Sequence, residues 1–219
     1  MASTSLSFKL DDSFIAEVAS WPDPFEGNPL GKFVYDRTYS RYKDDDTLEN
    51  WIDTCRRVVE GCYSLQKEHI EHMCTPWNRE QAQRSAEEMF ERIYNMKFLP
   101  PGRSLWTMGT SVIHEKGLGM ALNNCAYVTT RELEKNPTRP FLFLMDASML
   151  GTGVGSDTEG KDRVRLYHPI FPPNQLGLNY HVVEDTREGW VKSLEVLLKS
   201  YFLEDEPEVV FDYTQIRPE

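Results

Sequence analysis

Along residues 48–65 the apolar positions Leu48, Trp51, Ile52, Cys55, Val58, Val59, Cys62 and Leu65 follow the i, i+3, i+4, i+7 spacing of an amphipathic helix. Asp46 or Thr47 is placed to cap its first turn. Cys55 and Cys62 fall on the apolar stripe and read as core packing. A second stripe, Ala82, Ala86, Met89, Phe90 and Ile93, predicts a helix starting at Asn78, with Gln81 as capping-box partner. Residues 1–46 show little periodicity but many aromatics, among them the segment Trp21-Pro22-Asp23-Pro24-Phe25. They read as an irregular arm that packs on its neighbours. Pro100-Pro101-Gly102 closes this region, so 1–98 forms a helical amino-terminal region.

From Leu99 the pattern changes to short strands alternating with helices. Cys125 to Thr130 has strand composition. Thr138 and Pro140 open a helix through Phe141, Leu142, Leu144, Met145 and Leu150, stopped by Gly151. Val164–Tyr167 reads as a short strand. Asp185-Thr186-Arg187-Glu188 reads as a capping box before a helix bearing Trp190, Val191, Leu194, Leu197, Leu198 and Tyr201 on one face. Glu208–Tyr213 is a final strand. Strands separated by helices imply an α/β layer with parallel strands over 99–219. A layer that ends just after a strand reads as unfinished, because parallel strands are normally covered on both faces.

Composition narrows the function. Of 219 residues, 40% are hydrophobic and 12% aromatic, as in globular chains. The net charge of −11 argues against coating a nucleic acid, which needs clustered Lys and Arg. It leaves small nucleotide ligands open, since a few backbone amides and one or two Arg hold those. No run approaches the roughly 20 apolar residues of a membrane helix, and no secretory signal is visible. A cytoplasmic protein is expected. Cys55, Cys62, Cys74 and Cys125 match neither a zinc site nor a CxxC motif, so no metal is expected.

Three segments have the composition of a site. Pro100 to Thr110 mixes turn formers with hydroxyls, as ligand-contacting loops do, and equally suits a plain connection. Asn123-Asn124-Cys125 heads a strand, where the Cys is either a redox thiol or a small buried hydrophobe. Gly151-Thr152-Gly153-Val154-Gly155 follows a helix. Its glycines let backbone amides approach an anion or nucleotide, and equally suit a helix stop. It is not the dinucleotide fingerprint, whose strand-turn-helix order is absent.

Taken in order, several motifs resemble the adenosylcobalamin-dependent ribonucleotide reductases, especially the monomeric ribonucleoside-triphosphate type. They are Arg37–Arg41, Glu49–Trp51, Arg57–Gly61, Pro101–Trp106, Leu122–Cys125, Pro140-Phe141 with Gly151–Gly155, Asp185–Trp190 and Ile216–Pro218. The resemblance implies a helical amino-terminal region followed by roughly half of a ten-stranded α/β barrel. It implies that Cys125 is one of a pair of redox thiols that reduce the ribose. Ser104, Asn123 and Asn124 would border ribose and phosphates, with Gly151, Gly153, Val154 and Gly155 as the glycine-rich edge. Glu132 and Arg163 would lie in loops that read a dNTP effector. The implied chemistry is thiyl-radical reduction of a ribonucleotide, the radical arising with adenosylcobalamin and a thioredoxin-like dithiol resetting the disulfide.

The family's radical cysteine and second redox cysteine have no match among Cys55, Cys62 and Cys74. The segment 156–184 is shorter than the family's insertion, which puts effector control in question. The expected arrangement is therefore a split reductase, with a carboxy-terminal reductase polypeptide carrying the finger loop and most cobalamin contacts. The alternative is a non-catalytic nucleotide-binding or regulatory fragment.

Overall fold

The computed structural model describes residues 6–43, 45–170 and 179–218. The chain divides into two compact units, 1–122 and 123–219. The first takes in the Pro100–Thr110 segment together with the helical region.

The first unit is built on two long helices, α3 (Trp51–His72) and α4 (Arg79–Tyr94), packed on each other. They follow α1 (Asp12–Val18) and α2 (Pro29–Thr38). The cap of α3 is Asn50, not Asp46 or Thr47. Asn50 accepts from the Asp53 amide while the Asp53 carboxylate accepts from the Asn50 amide, a closed capping box. Upstream, Asp46 takes a left-handed φ of 60° and Tyr42 bridges antiparallel to Leu48, so a local turn uses the residues expected to cap. Leu48 consequently stands outside the helix. Asn78 caps α4 as expected, accepting from the Gln81 amide at 3.1 Å, but the Gln81 side chain makes no return bond and the expected box is not closed.

Between the helices lie Cys55, Val58, Val59, Ala86, Phe90 and Ile93, all fully buried. Burying such stripes is worth about 25 cal/mol per Å² of apolar surface. The arm is more regular than expected, holding α1 and α2, and it does pack. Trp21 meets Phe90 and Tyr94 edge-on, Phe25 stacks on Tyr35 at 5.6 Å, and the Leu10 amide donates to buried Glu60. The region after Pro100 forms short helices, α5 (Gly102–Thr107), α6 (Ser111–His114) and a 3₁₀ turn at Gly119–Leu122, rather than strands.

The second unit consists of two strand–helix–strand repeats. β1 (Cys125–Val128) leads through α7 (Arg139–Met149) to β2 (Gly153–Ser156), and the two strands pair in parallel. β3 (Asn179–Val182) leads through α8 (Arg187–Phe202) to β4 (Val209–Asp212), again in parallel. Helices α7 and α8 pack on each other. This is the expected α/β arrangement with parallel pairing.

Some details differ from expectation. Val164–Tyr167 is not a strand: the Tyr167 amide donates to the Tyr201 carbonyl, so it serves the end of α8 and no ladder. β4 pairs with Asn179–Val182, a strand whose polar Asn and His hide it from the sequence pattern. The cap of α8 is Thr186, which accepts from the Gly189 amide; at that third position a glycine has no side chain to complete a box, so Asp185 and Glu188 do not form one. Residues 171–178, within the short 156–184 segment, lie outside the described residues.

Candidate functional site

Two motifs separated by a helix in sequence become neighbours through the parallel ladder. Cys125 pairs with Gly153, Ala126 with Val154, Tyr127 with Gly155 and Val128 with Ser156. Side chains alternate across a strand with a period of two, and paired residues share a face. Cys125, Tyr127, Gly153 and Gly155 are exposed, whereas Ala126, Val128 and Val154 are half-buried and α7 packs on the pair. One face is therefore open, and on it a cysteine stands beside two residues with no side chain. The thiol of Cys125 is free and exposed, which disposes of the buried-hydrophobe reading.

Local chemistry explains how the glycines come to this edge. Gly151 ends α7 with φ +80°, a conformation that costs L-residues about 1–2 kcal/mol and glycine almost nothing. The Thr152 amide then donates to the Ala147 carbonyl, and the Thr152 hydroxyl donates to the Asn123 carbonyl at 3.0 Å. The Gly153 amide donates to the Asn124 carbonyl at 2.9 Å. Asn123 and Asn124 thus hold the glycine segment through their backbones, and both residues are exposed beside Cys125. The glycine segment is both a helix stop and, from Gly153, a strand, not a loop throughout.

The far end of the pair is closed by Asp157, a residue that no motif singles out. Its carboxylate accepts from the Tyr127 hydroxyl at 2.7 Å, from the Thr130 amide at 3.0 Å and from the Thr130 hydroxyl. Hydrogen bonds from Thr130, then Thr129 and Tyr127, hold this carboxyl well below the usual carboxylate range. The same bond raises the Tyr127 phenol. Gly160 seats the loop, because a Cβ there would lie 2.0 Å from the Thr130 carbonyl.

The remaining predicted residues fall elsewhere. Glu132 and Arg163 are exposed, in the turns that follow β1 and β2; Glu132 pairs with Arg139 at 3.8 Å and the Arg163 amide donates to Gly160. Ser104 belongs to the first unit, half-buried on α5, with its amide donating to the Pro101 carbonyl. Six of the substrate-edge candidates, with Cys125, are thus collected on or next to one parallel strand pair. Among the described residues no group of three His, Cys, Asp or Glu could hold a metal ion. An open groove of about 500 Å³ runs between α7 and α8, lined by Phe141, Leu144, Met145, Met149, Leu194 and Leu198 with Ser148. Apart from Ser148 its lining is apolar, whereas the amide side chains around a corrinoid need hydrogen-bonding partners, so this groove does not fit adenosylcobalamin. No helix among the described residues is long and apolar enough to cross a membrane.

Comparison with known proteins bears on the sequence and the fold. Residues 10–110 match the ribonucleotide reductase alpha domain. The chain is 46% identical over 227 residues to a Dictyostelium discoideum protein named "Probable adenosylcobalamin-dependent ribonucleoside-triphosphate reductase", covering 98% of this chain and 30% of that one. It is 45% identical to the adenosylcobalamin-dependent ribonucleoside-triphosphate reductase of Euglena gracilis, covering 96% of this chain and 28% of the relative. Among solved structures it superposes on a B12-dependent (class II) ribonucleotide reductase with a TM-score of 0.78 and 24% identity, over 97% of this chain and 36% of that one. The chain therefore spans about a third of the length of the proteins it matches, and its fold is that of part of the reductase barrel with the helices preceding it.

Proposed function

We propose that this chain, with the sequence and fold of part of the adenosylcobalamin-dependent ribonucleotide reductases, supplies the substrate edge and one redox thiol of a ribonucleotide-reducing enzyme. The observation that carries the proposal is the register of β1 on β2. It puts an exposed, free thiol at position 125 beside Gly153, on a face where nothing larger than hydrogen projects from the neighbouring strand at that level. A ribose lying on this shelf can approach the sulfur closely. Asn123 and Asn124, both exposed in sequence next to Cys125, are assigned to its hydroxyls, and the Ser104 segment is proposed, on the resemblance alone, to meet phosphate.

Reduction at C2′ of a ribonucleotide consumes two electrons and two protons and releases the 2′-hydroxyl as water. A pair of thiols supplies them by closing to a disulfide, so Cys125 needs a second cysteine. None of Cys55, Cys62 and Cys74 is proposed for that part: Cys55 is fully buried and its thiol is pushed well up by burial. The second thiol, the radical cysteine and the corrinoid contacts are assigned to a carboxy-terminal reductase polypeptide corresponding to the length of the relatives that this chain does not span. The open strand pairs support this. Both sheets have only two strands among the described residues, and the strands keep exposed or half-exposed side chains where parallel sheets are normally covered. A thioredoxin-like dithiol would reopen the disulfide, and Glu132 and Arg163 are the residues proposed to face a dNTP effector. Four free cysteines suit a reducing compartment such as the cytoplasm.

The test is reconstitution. The purified chain, given adenosylcobalamin, a dithiol and a ribonucleoside triphosphate, should form no deoxyribonucleotide. With a carboxy-terminal reductase polypeptide added it should turn over repeatedly. Sustained turnover by the chain alone would defeat the two-part reading.

A further inference from the structure

Four of the motifs outside the strand-pair site converge on α5, the six-residue helix that carries Ser104, Glu49 through Arg57. A helix this short is not stable by itself, and its carbonyls need partners. Arg57 of α3 donates from Nη2 to the Leu105 carbonyl at 2.9 Å and from Nη1 to the Met108 carbonyl at 2.6 Å. Arg41 donates to the Trp106 carbonyl at 3.1 Å and lies over the Trp106 ring, 5.0 Å from its centroid. Two guanidinium groups thus cap the carboxyl end of one short helix, where the dipole favours cations.

Arg57 is itself fixed. Its Nε and Nη2 grip both oxygens of Glu49 at 2.6 and 2.9 Å, and the Arg57 and Glu49 side chains are 13% and 8% exposed. Glu49 also accepts from the Thr54 hydroxyl at 2.8 Å. Steric contacts complete the hold. A Cβ on Gly61 would come within 2.6 Å of the Gly109 amide nitrogen, and one on Gly102 within 2.8 Å of the Tyr39 hydroxyl. A buried ion pair is weak evidence for stability, because desolvation offsets the attraction; its better-attested use is to fix one arrangement.

We propose that Arg57, oriented by Glu49, is a positioning residue that sets the attitude of α5 and thereby presents Ser104 to the phosphates of the ribonucleotide. This rests on the reading of the Ser104 segment as a substrate border. Lysine would keep the charge but cannot span two carbonyls and a carboxylate, so Arg57→Lys is the informative variant and avoids an empty buried site.

The test has two arms. In the purified chain, Arg57→Lys and Glu49→Gln should speed amide hydrogen exchange of residues 105–110 about tenfold while α4 keeps its protection. In the reductase assembled with this chain, the same variants should raise KM for CTP about tenfold or more, with a smaller effect on kcat, as misplacement of a binding loop does. Unchanged exchange at 105–110, or exchange rising equally throughout the unit, would overturn the positioning role. So would an unchanged KM beside a KM raised by Ser104→Ala. If Ser104→Ala itself leaves KM unchanged, the substrate reading of α5 fails, and this proposal fails with it.

Discussion

Cys125 and Gly153 stand directly opposite each other in a parallel strand pair, although a whole helix separates them in the chain. The thiol is open to solvent on that face. Replacing it with serine should therefore change stability by less than about 0.5 kcal/mol, as exposed substitutions do. In the reconstituted reductase the same change should abolish multiple turnover; full retained activity would rule out the redox role. Alkylation of the native chain should label Cys125 and exposed Cys74 quickly, and Cys55 only on unfolding.

The glycines divide into two kinds. A Cβ on Gly153 would meet nothing nearer than the Asn124 carbonyl at 3.6 Å, and one on Gly155 nothing nearer than Tyr127 at 3.7 Å. The fold tolerates alanine at both, so Gly153→Ala and Gly155→Ala should leave the urea midpoint nearly unchanged while weakening ribonucleotide binding. Gly160→Ala should instead cost about 1–3 kcal/mol, because it drives a methyl into the Thr130 carbonyl. Equal nucleotide affinity for wild type and the Gly153 and Gly155 variants would remove the glycine edge from the site.

Asp157 sets an acid limit. Its folded pKa is depressed, so its contribution is present above the unfolded value and is lost only as pH falls through the lower, folded one. The loop joining Tyr127, Thr130 and Asp157 should survive the range near pH 4 where ordinary carboxylates protonate and open in stronger acid. Asp157→Asn should weaken the loop already at neutral pH and flatten its acid dependence, followed by NMR of the Thr130 amide. Superimposable acid profiles for the two proteins would discard this account.

Tyr35 sets an alkaline limit in the first unit. Burial first, and the Glu49 carboxylate beside it, push its phenol up to about 12 against the hydrogen bond with Thr54. A raised folded pKa means the stabilisation is complete below the unfolded value near 10 and is lost as pH climbs toward 12. Stability should fall across that window, and Tyr35→Phe should blunt the fall. The spectrophotometric titration of Tyr35 would contradict this if it coincided with that of free tyrosine.

The legible parts of this fold are those governed by neighbours in sequence. The stripes on α3 and α4, the Asn78 cap, the stop at Gly151 and the strand at Cys125 all follow from spacing and local backbone chemistry. Failures occurred where a distant or turn-bound group took over. Thr47 was claimed by a turn, which left the cap of α3 to Asn50. Tyr167 was claimed by the end of α8, and β4 pairs with a strand whose polar Asn179 and His181 hide it. Asp157 left no trace in the pattern, because three of its donor groups lie 27 to 30 residues upstream.

By itself the sequence determined which residues could carry the chemistry, a cysteine heading a strand and a run of alternate glycines, since residue type and short-range spacing are written there. Only the tertiary structure decided that they meet. Parallel pairing needs a crossover, and the register in which the second strand returns is set by the packing of α7 and by the bonds from Thr152 and Gly153 to Asn123 and Asn124. The same holds for Arg57: its charge is plain in the sequence, but its two carbonyl partners lie about fifty residues away and come within reach only when α5 folds against α3.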